Sequence, residues 1–363
     1  MSGVRHLYVH LPFCAHRCGY CDFVTAVGRP GEHGGYVDAV RAELELERDC
    51  LDERIETVFV GGGTPTFTEH AALERLLHGL PAAEEVTVEA NPETVTSDVA
   101  ELLSRNGVNR VSLGAQTFNT ALLDVLERRA RPADVRRAFQ RLRHAGLDNL
   151  SLDLLYGIPG QSAADLDRDL DAALALEPEH LSCYELEAKP GTRFTHAYAD
   201  ELGRQAEAME GYFERVVERL VGAGYRWYET ANFARPGREA RHNLAYWRGR
   251  DYLGVGVGAV STVAGERRRN TPRLAAYVRA LADGRPPPRE LEPIDAETAA
   301  RERLILGLRL DRPVDLGELD GAWDPSGVER LERLGLARRD GERLALTPRG
   351  RLLGGAATVE ILA

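Results

Sequence analysis

The chain has 363 residues, of which 43% are hydrophobic and 28% charged, a composition that buries a large core and excludes disordered and collagen-like classes. Its 46 basic residues against 57 acidic ones leave a net charge of −11, so no global basic field gathers nucleic acid, which is not an expected partner. No run approaches the ~20 consecutive apolar residues of a membrane span, the start lacks the basic-then-apolar pattern of a signal peptide, and cytoplasmic placement is the expectation.

From the first residues to about residue 230, short β-branched runs alternate with longer amphipathic stretches, which is the pattern of repeated βα units on a parallel sheet. Strands are predicted over 6–11, 57–60, 85–89, 110–113, 149–154 and 180–185, and helices over 36–46, 71–80, 98–105, 133–145, 164–176 and 205–223. Six such units predict an α/β fold, a partial, TIM-like (β/α)6 barrel over residues 1–230, in which chemistry collects in the loops after the strands. The distinctive residues stand at those places: cysteines after the first strand, Gly61 to Pro65 after the second, Glu89 to Pro92 ending the third, Gln116 after the fourth, and Asp153 to Gly160 ending the fifth.

Residues 231–285 read as a motif-bearing connection, and Pro286, Pro287 and Pro288 mark a linker. Over 286–363 a small helical, winged-helix-like domain is expected, with helices at 296–308 and 326–334 and a hairpin at 336–346 that turns on Asp340-Gly341. Its mixed charge suits packing or a partner rather than DNA.

Cys14, Cys18 and Cys21 form a C-x3-C-x2-C loop that can wrap iron and sulfide, and three thiolates leave one iron of a 4Fe-4S cluster open. A structural zinc site wants four protein ligands, and His16, inside the loop, would strain it. Cys50 and Cys183 stand alone and read as inert thiols. The basic residues are nearly all Arg, with Lys189 the only lysine, which supplies guanidinium forks for carboxylates.

The cysteine loop after a first barrel strand, with Gly61-Gly62-Gly63-Thr64-Pro65 after the second, resembles the radical S-adenosylmethionine (SAM) superfamily. That resemblance implies SAM chelated to the open iron and cleaved by one electron to a deoxyadenosyl radical. It sharpens to the coproporphyrinogen dehydrogenase and haem chaperone branch through Tyr8 to Cys14, Gly61 to Thr66, Glu89-Ala90-Asn91-Pro92, Ser112 to Phe118 and Asp153 to Gly160. By that resemblance Tyr8, Gly62, Gly63, Thr64 and Glu89 contact SAM, and Tyr20 packs beside the cluster. Gln116, Arg128 and Asp153 line the SAM region, Asp153 suiting ribose hydroxyls and Arg128 a carboxylate. Without the family, Glu89 and Asp153 serve equally as helix caps, Tyr8 as a core aromatic, and Arg129 competes with Arg128; Ala130 stands where many relatives carry His.

Two features divide the branch. Phe23 replaces a further cysteine of the dehydrogenases, and the first strand begins almost at Met1, where they carry a longer extension. His242-Asn243-Leu244-Ala245-Tyr246-Trp247 matches the H-N-x-x-Y-W signature of HemW-type haem chaperones. The resemblance then implies haem held by His242 as axial ligand, with Asn243 beside it, Tyr246 and Trp247 against the macrocycle, and Arg241, Arg248 and Arg250 toward its propionates. An indirect role for the hexapeptide, shaping the site, is the other reading. The implied work is delivery of haem to apo-haemoproteins such as respiratory cytochromes. An electron donor such as flavodoxin or ferredoxin is implied, with peripheral membrane contact through clients. The alternatives are an oxygen-independent coproporphyrinogen III dehydrogenase and a radical SAM enzyme of another substrate, and no catalytic residue is assigned.

Overall fold

The computed structural model describes residues 3–189, 192–319 and 321–362. Six strands, β1 (His6–Leu11), β2 (Ile55–Gly62), β3 (Ala83–Ala90), β4 (Arg110–Gln116), β5 (Leu150–Tyr156) and β6 (His180–Glu185), lie side by side in chain order and parallel. The returning helices are α1 (His33–Leu46), α2 (His70–Gly79), α3 (Ser97–Arg105), α4 (Pro132–His144), α5 (Ala163–Leu174) and α6 (Met209–Gly222). Local chemistry sets their starts: the Thr96 hydroxyl accepts from Val99 N ahead of α3, and Ser162 with Asp165 forms a capping box ahead of α5. The expected α/β partial barrel is therefore the fold.

Three further strands extend the expected six. The hairpin β7 (Arg226–Glu229) and β8 (Asn232–Ala234) joins β6 antiparallel, and β9 (Leu253–Val255) pairs parallel with β1 at the opposite edge. These strands are too short for a periodicity to declare itself. The sheet has nine strands, and its two edges do not pair with each other, so the barrel stays open.

Alternation along the strands divides core from interior. In β4, Val111, Leu113 and Ala115 are buried in the main apolar core beneath the helices, whereas Arg110, Ser112, Gly114 and Gln116 all border one internal cavity. The same face of β3 carries Glu89, that of β5 Asp153, and that of β6 Ser182 and Tyr184. Closed (β/α) barrels fill this space with layers of Val, Ile and Leu; here polar side chains leave it hollow.

Residues 260–293 form a second layer on the β1 edge: an antiparallel sheet of β10 (Val260–Val263), β11 (Glu266–Asn270) and β12 (Arg289–Pro293), with helix α8 (Leu274–Ala282). The proline run at 286–288 leads straight into β12, and Pro288 O accepts from Thr271 N at 2.8 Å. Buried Glu43 of α1 anchors this layer, accepting from Gly256 N, Asn270 Nδ2, Tyr277 OH and Arg289 Nη2 at 2.6–2.9 Å.

Beyond it, α9 (Ala296–Gly307), α10 (Pro325–Arg333) and a sheet of β13 (Val314–Asp315), β14 (Ala337–Asp340) and β15 (Arg343–Leu346) enclose their own core around Leu304, Leu331 and Leu344. Ion pairs dock this unit on the β7–β8 hairpin: Arg226 to Asp311 at 2.6 Å and Arg309 to buried Glu229 at 2.6 Å. Among the described residues no helix is long and apolar enough to cross a membrane.

Candidate functional site

The cavity inside the barrel measures about 410 Å³. Its mouth is the loop after β1, where Cys14, Cys18 and Cys21 all border it. Cys14 Sγ lies 3.5 Å from Thr64 Oγ1, Arg128 Nη1 approaches Cys18 Sγ at 3.9 Å, and the Arg17 guanidinium holds Cys21 O at 2.9 Å. Burial pushes the Cys14 thiol up to about 11 and raises that of Cys21, so the protein by itself keeps both protonated. Cys14, Cys18 and Cys21 would hold bound iron as thiolates, its charge favouring their deprotonation. Among the described residues no three His, Cys, Asp or Glu side chains converge as a single-ion site. Three thiols at the mouth of one cavity are a donor set that fits an iron–sulfur cluster.

The glycine strip lies against this loop. Gly63 N donates to Leu11 O and Thr64 N to Phe13 O, each at 2.8 Å. Gly62 has φ +113°, and a Cβ there would stand 2.5 Å from the His10 ring, while one on Gly63 would stand 2.6 Å from Pro12 O. Only glycine permits that backbone and that approach. Asn91, part of the Glu89–Pro92 motif but without an assigned role, bridges the strip to Arg128: its Nδ2 donates to Thr64 Oγ1 at 3.0 Å and its Oδ1 accepts from Arg128 Nη2 at 2.8 Å.

Glu89 and Asp153 face each other across the interior. Burial and the Asp153 charge push the Glu89 carboxyl up to about 7, and its Oε2 accepts from Gly62 N at 3.0 Å. Burial likewise raises Asp153, whose oxygens accept from Ser112 Oγ at 3.0 and 3.1 Å. Gln116 borders the cavity with φ +65°, where the register of β4 on β5 shifts; a non-glycine residue in this region marks a locally strained strand end. Of the two adjacent arginines, Arg128 is buried on the cavity wall and Arg129 is exposed. Tyr20 also borders the cavity. Tyr8 does not: its ring stacks on Phe59 at 6.2 Å and its hydroxyl bonds His10 Nδ1 at 3.0 Å.

The hexapeptide forms helix α7 (Arg241–Trp247), which lies across the lower end of the strands. Glu85 on β3 holds its N-terminus, accepting from Arg241 N at 3.0 Å and His242 N at 3.1 Å, as a carboxylate at a helix N-terminus should. His242 is 1% exposed. Its Nδ1 is bonded to Thr57 Oγ1 at 2.7 Å and its Nε2 to Tyr246 OH at 2.9 Å, and burial lowers its pKa to about 3. Both imidazole nitrogens are thus engaged, and the ring offers no free lone pair as an axial ligand in this arrangement.

Tyr246 packs edge-on against Tyr252 at 4.6 Å, and the Arg309 guanidinium covers Trp247 at 4.3 Å. Neither borders the barrel cavity, and Trp247 lines a separate groove instead. Asn243 alone of these four residues borders the cavity, while Arg241 pairs with Glu84 and Arg248 and Arg250 border a separate groove. The arrangement therefore favours the reading in which the hexapeptide shapes the site. Sequence reasoning passed over Arg110 and Ser182 on the cavity wall and gave Ser112, in the Ser112 to Phe118 motif, no role; the period-two alternation of β4 and β6 is the signal that places them there.

An open (β/α) barrel with a three-thiol loop after its first strand and a glycine strip after its second defines the radical SAM class. The radical SAM superfamily model matches residues 8–173, and that of the HemN C-terminal domain matches residues 294–353. The haem chaperone HemW of Bacillus subtilis is 33% identical, with 97% of each chain covered. That of Mycobacterium tuberculosis H37Rv is 36% identical over 98% of this chain and 94% of the relative, and that of Escherichia coli K12 is 38% identical over 70% and 68%. The chain belongs to the HemW haem chaperone family. Among solved structures, the coproporphyrinogen III oxidase HemN of Escherichia coli, a radical SAM enzyme, superposes with a TM-score of 0.83 at 23% identity, covering 99% of this chain and 90% of that one; this likeness concerns the fold.

Proposed function

We propose that the protein binds haem and passes it to apo-haemoproteins, and that it holds a 4Fe-4S cluster and SAM at the mouth of the barrel. The observation that carries the reading is the hollow interior, with three thiols at one end and the signature helix α7 closing the other. A bound cluster with SAM supplies one-electron chemistry. Cys14, Cys18 and Cys21 are its ligands, and the Gly62–Gly63 backbone gives the methionine end close access. Arg128 orients a carboxylate, and Asp153 is placed for ribose hydroxyls. Glu89, with a pKa of about 7, takes up or releases a proton at its carboxyl near neutral pH.

Phe23, 62% exposed at the mouth, stands where the dehydrogenases carry a further cysteine and gives an apolar contact instead. A cytoplasmic setting suits free thiols.

The test is a haemin titration of the anaerobically reconstituted protein, followed by transfer to an apo-cytochrome. Saturable binding and transfer are expected. The SAM-facing residues also suit a dehydrogenase, so the same sample is given reductant, SAM and coproporphyrinogen III. Protoporphyrinogen IX formed over many turnovers would overturn the chaperone reading.

A further inference from the structure

Arg110 opens β4 and is 2% exposed, yet among the described residues its guanidinium makes no hydrogen bond and no ion pair, and its Nε is sealed from water without a partner. An arginine does not shed its charge, and an uncompensated buried cation is strongly unfavourable. The side chain points into the barrel cavity. The two carboxylates on the same cavity wall, Glu89 and Asp153, are occupied by Gly62 N and by Ser112. Burial raises the pKa of both, Glu89 to about 7, and the Arg110 charge acts on each through space, with no hydrogen bond or ion pair to either. Asn243 of α7 borders the same cavity, and its side chain also has no hydrogen-bond partner among the described residues.

Position separates this end from the cluster loop. Arg110 pairs in register with Thr87, two residues before Glu89, and β4 runs six residues further to Gln116, about 20 Å at ~3.3 Å per residue. A ligand that meets Arg110 has entered past the cysteines and reached the α7 end. The planar fork of a guanidinium matches a carboxylate, and an amide N–H beside it adds a third donor.

We propose that Arg110 and Asn243 form a carboxylate-binding subsite at the inner end of the barrel cavity, for a ligand ending in a saturated carboxylate arm. A tetrapyrrole carries such an arm as propionate, whereas the amino-acid tail of SAM belongs at the cluster end. The assignment rests on the cavity being the ligand chamber proposed above.

The test compares full-length wild type, Arg110→Met and Asn243→Ala, each verified as folded by circular dichroism; Asn243 is partly exposed, so its variant serves if Arg110→Met does not fold. Sodium propionate should raise the wild-type melting temperature by about 2 °C over equimolar sodium chloride, and neither variant should respond. Wild type should bind haemin more tightly than haemin dimethyl ester. Arg110→Met should weaken haemin about ten- to a hundredfold, to the level of the ester, and leave the ester unchanged. A comparable loss for SAM with haemin unaffected would overturn the assignment of this end to a tetrapyrrole carboxylate. Folded variants that match wild type with propionate, haemin and SAM would overturn the proposal and make Arg110 an internal counter-ion. Wild type that binds no haemin would refute the haem reading, while propionate and SAM still decide the subsite.

Discussion

Replacing His242 by Gln tests whether the signature histidine is a buried neutral strut or a ligand in waiting. Gln can keep one of the two bonds to Thr57 and Tyr246 and loses the ring stacked 5.2 Å from Phe59. One net hydrogen bond and a partial packing loss come to about 2 kcal/mol at pH 7.5. Acid then changes the comparison. The imidazole titrates near 6.5 in the unfolded chain and near 3 in the folded one. Between those values the unfolded state takes a proton that the folded state refuses, so wild-type stability falls as pH drops through that window, by about 1.4 kcal/mol per unit.

At pH 5 this amounts to about 2 kcal/mol, the size of the neutral-pH penalty. Burial also lowers His6, His10 and His180, but these remain in both proteins and cancel. Urea midpoints of the cluster-free proteins across pH 7.5 to 5 should therefore start about 2 kcal/mol apart and converge. Curves that stay parallel would refute the buried-strut account. So would a haemin complex whose Soret band shifts in a folded His242→Gln variant, since that band reports axial ligation.

Glu85→Gln removes the charge that holds the first two amides of α7 and should cost about 1–2 kcal/mol, with faster hydrogen exchange over residues 241–247; unchanged exchange there would separate Glu85 from the helix. Gly62→Ala puts a Cβ 2.5 Å from the His10 ring at φ +113°, so SAM binding measured by equilibrium dialysis should fall at least about tenfold, and wild-type affinity would show that the strip can yield. Arg309→Met leaves fully buried Glu229 with only the neutral donors Ala231 N and Asn232 Nδ2 and uncovers Trp247. Discounted for the 37% exposure of the arginine, the loss should be about 2 kcal/mol, and an unchanged Tm would remove this ion pair from the docking of the C-terminal unit.

The six βα units are legible in the sequence because each strand and helix carries its own periodicity over contiguous residues, and the cysteine and glycine motifs because their spacing is local. The same locality explains why Cys14, Gly62, Glu89, Arg128 and Asp153 stand out in the sequence and meet at one cavity: a parallel barrel brings the ends of successive strands to one rim. His242 shows the limit. Its chemistry depends on Thr57, 185 residues away, and on Tyr246 one helical turn along, so whether the imidazole is a ligand or a strut is decided by what packs around it.

Three other features share that cause. The strand Leu253–Val255 exists because β1 has a free edge to receive it, the proline run at 286–288 is held because β11 offers a partner beyond it, and Arg110 becomes an unpaired charge only once the walls around it are assembled. Short-range order is written in neighbouring side chains; the state of a buried polar group is written by every element that closes over it, and that is settled only when the chain folds.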